Sequence, residues 1–548
     1  MWVDDLKRFG GSRKRPSSPY YRLLLYPLRS AAASGRTDIV QHMLDKGYDK
    51  DKSDNYGCTP LHHAAKMGHI AVAETLLAAG ANVSLRSHRG ESALDIAVAE
   101  GRVDIASAIV DHGADVNATG TNGTTPLHRV IGGNSRMLSF LLAKGAAVNA
   151  LGGRTGESCL HHAAAGGYTA ATRALLAAGA DVTLLSYIGI SALEVAVSRG
   201  FPDIARMIIA HGADVNAAPA HGDTLLHIAA EHGHTEVVTI LCAKGVDNVD
   251  ARDGRGLTPL HVAAQRGYCT TTRALLAAGG DVNLQSDMHG GMSALSFAAC
   301  KGHVEMVIAI IEHGVADLNA AGSSGRTALH FAATHNRSDV IVVLAEAGAS
   351  IELASSTTGN TPLHAAILGF NLAAVHVLLK QGATINKENS EGLTPLHCAA
   401  AYAGRIGTAG VVDLLLRLGA DEQVITNSGE TAADVVGSNV EEQDSLAEEV
   451  ERVRKLLANA PADRAWRRRG FLILCRAHYP SGRVRLGQEN GHIQAAGIPK
   501  KICSRQGPSR ADIEWAGVAS MLMGVGADRI SGMGDGVDII FETIIGFL

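Results

Sequence analysis

Short apolar segments alternate with polar, glycine-containing segments along most of the chain. One apolar opening pattern stands out in seven copies: GCTPLHHAA, GTTPLHRVI, GESCLHHAA, GLTPLHVAA, GRTALHFAA, GNTPLHAAI and GLTPLHCAA. A polar turn follows each copy, and then a second apolar segment with a pair such as Leu76 and Leu77. Two apolar segments joined by a short polar turn predict two helices that pack on each other.

The Ser or Thr of the opening pattern measures the interval between copies. These residues are Thr59, Ser92, Thr125, Ser158, Ser191, Thr224, Thr258, Ser293, Thr327, Thr361, Thr394 and Thr431. Successive positions differ by 33 to 37 residues, and most differ by 33 or 34. A nearly constant interval of this length is the signature of a repeat array, in which each unit buries its apolar face against its neighbours.

Local chemistry predicts where these helices begin and end. A Ser or Thr hydroxyl accepts hydrogen bonds from the free N–H groups of a first helical turn, and proline often follows it directly, as in Pro60 and Pro259. Glycines such as Gly68 and Gly267 end the first helix, and Asn336 replaces glycine in one copy because asparagine tolerates positive φ. Segments such as ADVNAAPAHGD then predict extended, turn-containing loops.

On these residues the chain resembles the ankyrin-repeat family, whose 33-residue period and T-P-L-H signature recur here. The resemblance covers residues 23–460 and implies about twelve or thirteen repeats, each with two antiparallel helices and a projecting β-hairpin. We therefore expect an all-α fold with short β-hairpins, an ankyrin-repeat solenoid with a C-terminal extension. The segments before Thr59 and after Thr431 resemble atypical terminal repeats, which would cover the open ends of the stack.

The two ends of the chain lack the repeat. We expect residues 1–22 to be disordered, residues 23–460 to form the array, and residues 461–548 to form an extension for which the sequence predicts no particular fold. The basic segment from Ser12 to Pro16 is a candidate nuclear-import signal.

Composition narrows the class of function. The formal net charge of −5 provides no basic field for nucleic acid, and no apolar stretch is long enough to span a membrane. The eight cysteines show no C-x-x-C pair, and no secretory leader precedes them, which indicates a reducing compartment. We expect a cytoplasmic protein, with the nucleus as an alternative.

The 25 histidines invite a metal or catalytic interpretation, but many recur at equivalent repeat positions, which indicates structural hydrogen bonding. No zinc, nucleotide-binding, hydrolase or kinase motif occurs in the sequence. We expect no enzyme activity, no cofactor, no metal and no small-molecule substrate.

The resemblance implies that partners are other proteins, bound along the concave face through hairpin tips and first helices. The tips differ most between copies. Leu185, Tyr187 and Ile188 form the sharpest candidate, because loop tips are usually polar and tyrosine is enriched at binding hot spots. Alternatively, these three side chains pack on a neighbouring repeat. The other candidate tip residues are Arg86, His88, Arg89, Met288, Lys387 and Glu391.

The segment ADRAWRRRGFLILCRAHY follows an acidic, amphipathic helical segment that has Leu446, Val450, Val453 and Leu457 on one face. It either covers the end of the stack or docks a regulatory partner, and Gly470 argues against a continuous helix there. The candidate docking residues are Trp466, Arg467, Arg468, Arg469 and Phe471.

These observations favour a non-enzymatic protein-interaction scaffold or adaptor. One alternative is a substrate-recruiting subunit of a ubiquitin ligase or other enzyme complex, which would dock through the C-terminal extension. A catalytic site in that extension is a further alternative, although no acid, base and nucleophile converge in its sequence.

Overall fold

The structure is a computed structural model that describes residues 27–217, 222–288, 290–439, 447–478, 486–489 and 492–495. The segment 1–22 and the import candidate from Ser12 to Pro16 lie outside the described residues. The chain divides into two compact units, Met1–Ala383 and Thr384–Leu548, and each is described by itself.

The described part of the first unit consists of helix pairs. The first helices of the pairs are α1 (Pro27–Ala33), α3 (Pro60–Met67), α5 (Ala93–Ala99), α7 (Pro126–Val130), α9 (Cys159–Gly166), α11 (Ala192–Arg199), α13 (Leu225–His232), α15 (Pro259–Arg266), α17 (Ala294–Lys301), α19 (Ala328–Thr334) and α21 (Pro362–Leu368). The second helices are α2 (Thr37–Asp45), α4 (Ile70–Ala78), α6 (Val103–Asp111), α8 (Ser135–Ala143), α10 (Thr169–Ala177), α12 (Pro202–Ala210), α14 (Thr235–Ala243), α16 (Cys269–Ala277), α18 (Val304–Glu312), α20 (Ser338–Glu346) and α22 (Leu372–Lys380).

Helix α15 shows why a first helix begins and ends where it does. Thr258 has an extended backbone (φ −88°, ψ 163°), and its hydroxyl accepts the N–H of His261 at 3.3 Å. Pro259 follows at the first helical position, where no N–H is needed. Gly267 ends the helix at φ +84°. The predicted left-handed asparagine is confirmed, since Asn336 has a φ of +55°.

Neighbouring pairs stack helix on helix. Helix α15 packs against α13 and α17, α16 packs against α14 and α18, and α15 also packs against α16. The buried side chains between them are leucines and alanines, such as Leu260, Ala263 and Leu275. Small alanines let the thin layers approach closely, and each fully buried leucine contributes about 2 kcal/mol of apolar burial.

Hairpins connect one pair to the next. Strands β1 (Leu151–Gly152) and β2 (Glu157–Ser158) form a short antiparallel pair, and isolated β-bridges occur at other tips. Asparagines tie successive hairpins together: the Asn283 Nδ2 donates to the Val315 carbonyl at 2.9 Å, and its Oδ1 accepts the Asp317 N–H at 2.8 Å. The predicted helical repeat fold with short hairpins is therefore confirmed.

The described part of the second unit contains α23 (Pro395–Ala401), α24 (Thr408–Arg417), α25 (Ala447–His478) and the antiparallel strands β3 (Leu486–Glu489) and β4 (His492–Ala495). Helix α25 packs against α24 and buries Val453 and Leu457, as its amphipathic pattern predicts. The helix continues through Gly470, so the expected interruption there is wrong. A helical glycine costs only about 1 kcal/mol relative to alanine.

Within the described ranges, no helix combines the length and apolarity that a membrane span requires.

Candidate partner-binding surface

The tip from Leu185 to Ile188 is held in place and largely open to solvent. The Tyr187 N–H donates to the Thr155 carbonyl of the preceding hairpin at 2.8 Å, and the Tyr187 ring lies against Gly156. Tyr187 is nevertheless 71% exposed, and Leu185 and Ile188 are also more than half exposed. The Tyr187 ring thus packs on a neighbouring repeat, as the second alternative expects, while most of the cluster is exposed, and its role in partner binding stays a prediction.

The basic tip contains one side chain that bonds within its own hairpin and two side chains that are exposed. Arg86 donates from Nη1 to the Gly90 carbonyl at 2.6 Å and lies 3.4 Å from an oxygen of the buried Asp95. Arg86 therefore stabilises its own hairpin. His88 and Arg89 are exposed at the turn, so they are the members of this candidate group that a partner could contact.

The remaining tip candidates lie on other hairpins. Met288 is 57% exposed in the first unit. Lys387 and Glu391 are exposed on one hairpin of the second unit, where the Glu391 carbonyl accepts the Asn427 N–H at 3.3 Å. The structure thus places these candidates on separate hairpins.

Several exposed apolar residues were not among the candidates, and Tyr56 and Ile406 are the most exposed of them. Tyr56 is 66% exposed at a hairpin tip, and it occupies the same repeat position as Arg89 and Ile188. Aligning the tips position by position would have found it. Ile406 is 81% exposed in the insertion between α23 and α24, where extra residues interrupt the repeat.

The candidates Trp466, Arg467, Arg468, Arg469 and Phe471 lie within α25. Their side chains lie outside the described part of the structure, and their docking role stays a prediction.

The histidines of the T-P-L-H pattern join one repeat to the next. In α15, the Thr258 N–H donates to the His261 Nδ1 at 3.1 Å, so the ring proton is on Nε2, which donates to the Leu284 carbonyl of the next hairpin at 2.9 Å. Burial lowers the pKa of His261 to about 4, despite the opposing effect of that carbonyl. Equivalent histidines with lowered pKa values are His62, His128, His161, His227, His330 and His397.

Among the described residues, Asp54, Cys58 and His63 bring possible metal ligands within 4.8 Å of one another. The carboxylate is already engaged, because Asp54 accepts hydrogen bonds from the N–H groups of Tyr56 and Cys58 and from the Arg29 guanidinium, 2.9 Å away. Burial opposes ionisation of Asp54, but these donors lower its pKa to about 2. A guanidinium beside the carboxylate disfavours a cation, so this cluster fits a hairpin anchor better than a metal centre.

Comparison with known proteins agrees with this geometry. A family model described as ankyrin repeats (3 copies) matches residues 28–120, 94–186, 130–219, 193–286, 260–355 and 352–426. The chain therefore belongs to the ankyrin-repeat family. Ankyrin repeats are in general protein-interaction modules, and proteins built from them are generally non-catalytic.

One similar solved structure is the ankyrin repeat domain of Bcl-3, described as a unique member of the IkappaB protein family. The two chains are 28% identical, and the match covers 43% of this chain and 99% of that one with a TM-score of 0.37. No curated protein matches the chain.

Proposed function

We propose that this chain is a non-enzymatic scaffold or adaptor that binds other proteins through its hairpin tips and the adjoining first helices. The observation that carries the proposal is the exposed apolar tip of Leu185, Tyr187 and Ile188. Three large apolar side chains exposed together are unusual on a soluble surface and mark interaction sites.

The tip is also pre-organised. The backbone of Ser186 donates to the Ile190 carbonyl at 2.9 Å, the Gly189 N–H donates to the Ser186 carbonyl at 2.9 Å, and Leu185 forms a β-bridge with Ser191. A tip held by these bonds loses little conformational entropy when a partner binds, which favours affinity.

The proposal extends to the organisation of the chain. Residues 23–460 would form the interaction array, and residues 461–548 would form an extension beyond it. The partners would be proteins of the cytoplasm, with the nucleus as the alternative location.

The test is affinity capture from cell lysate with the full chain and with the double variant Tyr187→Ala/Ile188→Asp. The matched control is Ile425→Asp, because Ile425 is an exposed isoleucine at the hairpin position equivalent to Leu185. We expect at least one captured protein to fall by about tenfold with the double variant and to persist with the control. Thermal unfolding of all three proteins confirms that each is folded. An unchanged set of captured proteins would contradict the proposed role of this tip.

A further inference from the structure

Three successive repeats together form a longer repeating unit of the sequence. Three segments are closely alike: LLAAGANVSLRSHRGESALD (76–95), LLAAGADVTLLSYIGISALE (175–194) and LLAAGGDVNLQSDMHGGMSALS (275–296). They begin 99 and 100 residues apart, so a block of three repeats occurs three times. In each block, the second repeat opens its first helix with S-A-L in place of T-P-L-H. We call the hairpins at residues 83–92, 182–191 and 282–293 the block hairpins.

The block hairpins share a rigid construction. Each has an isolated β-bridge that joins its two arms: Arg86 to Ser92, Leu185 to Ser191, and Gln285 to Ser293. Each is also anchored by a T-x-L-H-type histidine of the preceding repeat, whose Nε2 bonds to a backbone carbonyl of the hairpin. These bonds join His62 to Glu91 at 3.0 Å, His161 to Ile190 at 2.9 Å, and His261 to Leu284 at 2.9 Å.

Every block hairpin presents two side chains between a buried serine and the turn. The first of the two leans on a glycine of the preceding hairpin, as Tyr187 leans on Gly156 and Asp287 on Gly256. The second is exposed: Arg89 in the first block hairpin, Ile188 in the second and Met288 in the third. The same construction therefore carries a cation in the first block and an apolar residue in the next two.

The two apolar tips are three repeats apart. Helices α11 and α17 follow the Ile188 and Met288 tips, and α11, α13, α15 and α17 pack in succession. Packed helix axes are 8–10 Å apart, so three steps separate the tips by about 24–30 Å. A ligand that touches both tips needs about nine residues if it is extended, or about twenty if it is helical.

Cations lie on the hairpins that precede the two apolar tips. Arg154 is exposed on the hairpin before Tyr187, and no ion pair of Arg154 occurs among the described residues. Arg255 lies on the hairpin before Met288 with its side chain half exposed, and its Nε and one amino group donate to the buried Asp253 carboxylate at 3.0 and 2.9 Å. The nearby Asp287 carboxylate is neutralised by Arg252 at 2.9 Å. The charges of Arg252 and Arg255 are thus matched by Asp287 and Asp253, and it is Arg154 that favours a carboxylate in a ligand.

We propose that the second and third block hairpins bind one acidic segment of a partner protein, and that this segment has two apolar anchors about 24–30 Å apart. One anchor contacts Tyr187 and Ile188, the other contacts Met288, and a carboxylate of the segment contacts Arg154. The inference rests on the proposed function and specifies the partner's chemistry.

The probe is a phage-displayed library of random peptides of about 24 residues, selected on the immobilised full chain. Selected peptides are then synthesised, and their affinities are measured against wild type, Tyr187→Ala/Ile188→Asp, Met288→Asp and Arg154→Glu. Ile425→Asp is the matched control tip.

We expect acidic peptides with two apolar clusters. Their affinity should fall about 30-fold with the Tyr187→Ala/Ile188→Asp variant and about tenfold with Met288→Asp. Arg154→Glu should weaken binding about fivefold at low salt and less at high salt, and Ile425→Asp should change nothing.

The other outcomes separate the two proposals. Peptides that respond to the Tyr187 variant but not to Met288→Asp overturn the two-anchor inference and leave the proposed function intact. Peptides that respond to neither variant, or an absence of selected peptides, overturn the inference, while lysate capture independently tests the function. A dimer of the chain that dissociates in the Tyr187 variant would assign the tip to self-association and overturn the inference as well.

Discussion

Adjacent helices α15 and α17 show two ways to open a repeat. In α15, His261 bonds to its own N-cap residue and to the next hairpin. In α17, Ser296 stands at the same position, and its hydroxyl is paired locally with the Ser293 hydroxyl at 3.3 Å. The first arrangement joins repeats, whereas the second completes only its own helix. His261 therefore anchors the hairpin that precedes α17, and His227 and His330 anchor other hairpins in the same way.

Acid should break this comparison most strongly, because only the histidine-opened repeats bury an imidazole. A second proton would sit on the His261 Nδ1, which then could no longer accept the Thr258 N–H, while Nε2 would still donate to the Leu284 carbonyl. Burial lowers the pKa of His261 to about 4 in the folded chain, and an unfolded histidine titrates near 6.5. The unfolded state therefore binds more protons below pH 6.5, and stability that is full above that pH is lost as pH falls towards 4. The loss from His261 reaches about 3 kcal/mol.

Urea unfolding at several pH values between 7.5 and 4 measures this loss. His261→Gln removes the titrating group, so its stability should depend less on pH in that window. If the free energy of unfolding depended on pH equally in wild type and His261→Gln, the loss of stability in acid would not come from His261.

His261→Ala should cost about 3 kcal/mol, because it leaves the Leu284 carbonyl and the Thr258 N–H without their partner. The matched change Ser296→Ala should cost less than about 1 kcal/mol, since it removes one local bond. Urea unfolding of the two variants at pH 7.5 checks the difference. Similar costs would show that the two openings hold the array equally well.

A smaller loss of stability is expected from a substitution at Gly156, the glycine beneath the Tyr187 ring. Gly156 has a φ of +63°, and a Cβ there would collide with the ring, whereas Gly123 has a φ of +72° and open space around the same atom. Gly156→Ala should cost about 2 kcal/mol, and Gly123→Ala about 1 kcal/mol, because only the first variant adds a steric conflict to the backbone strain. Thermal unfolding, with tyrosine fluorescence as a probe of the displaced ring, would detect both. Equal costs would mean that the ring moves aside freely.

The smallest expected effect is a small increase in stability, from a substitution at Asp250. Asp250 occupies a hairpin position where asparagine serves elsewhere, and both of its carboxylate oxygens accept the Asp281 N–H at 3.1 Å. Burial, with a contribution from the Asp281 charge, raises the pKa of Asp250. Asp250→Asn keeps the acceptor without the charge and should stabilise the chain by about 0.5 kcal/mol at pH 7.5. Asp247→Asn is the exposed control, and a destabilised Asp250→Asn variant would refute the explanation.

The sequence alone predicted the repeat, the helix boundaries and the class of fold, because these depend on local chemistry that returns at a constant interval. Thr258, Pro259 and Gly267 each specify one end of α15 through their own hydrogen-bonding and φ preferences. The general role of ankyrin repeats as protein-interaction modules follows from the same residues.

Only the tertiary structure decided how each tip residue is placed and what it contacts. Arg86 and Arg89 look alike in sequence, but the structure engages Arg86 with Gly90 and Asp95 and leaves Arg89 exposed. The sequence left two alternatives for Tyr187, and the structure places its ring against Gly156 with most of its surface exposed. Contacts between residues about 30 positions apart depend on how successive hairpins are positioned side by side, and local preferences do not encode that placement.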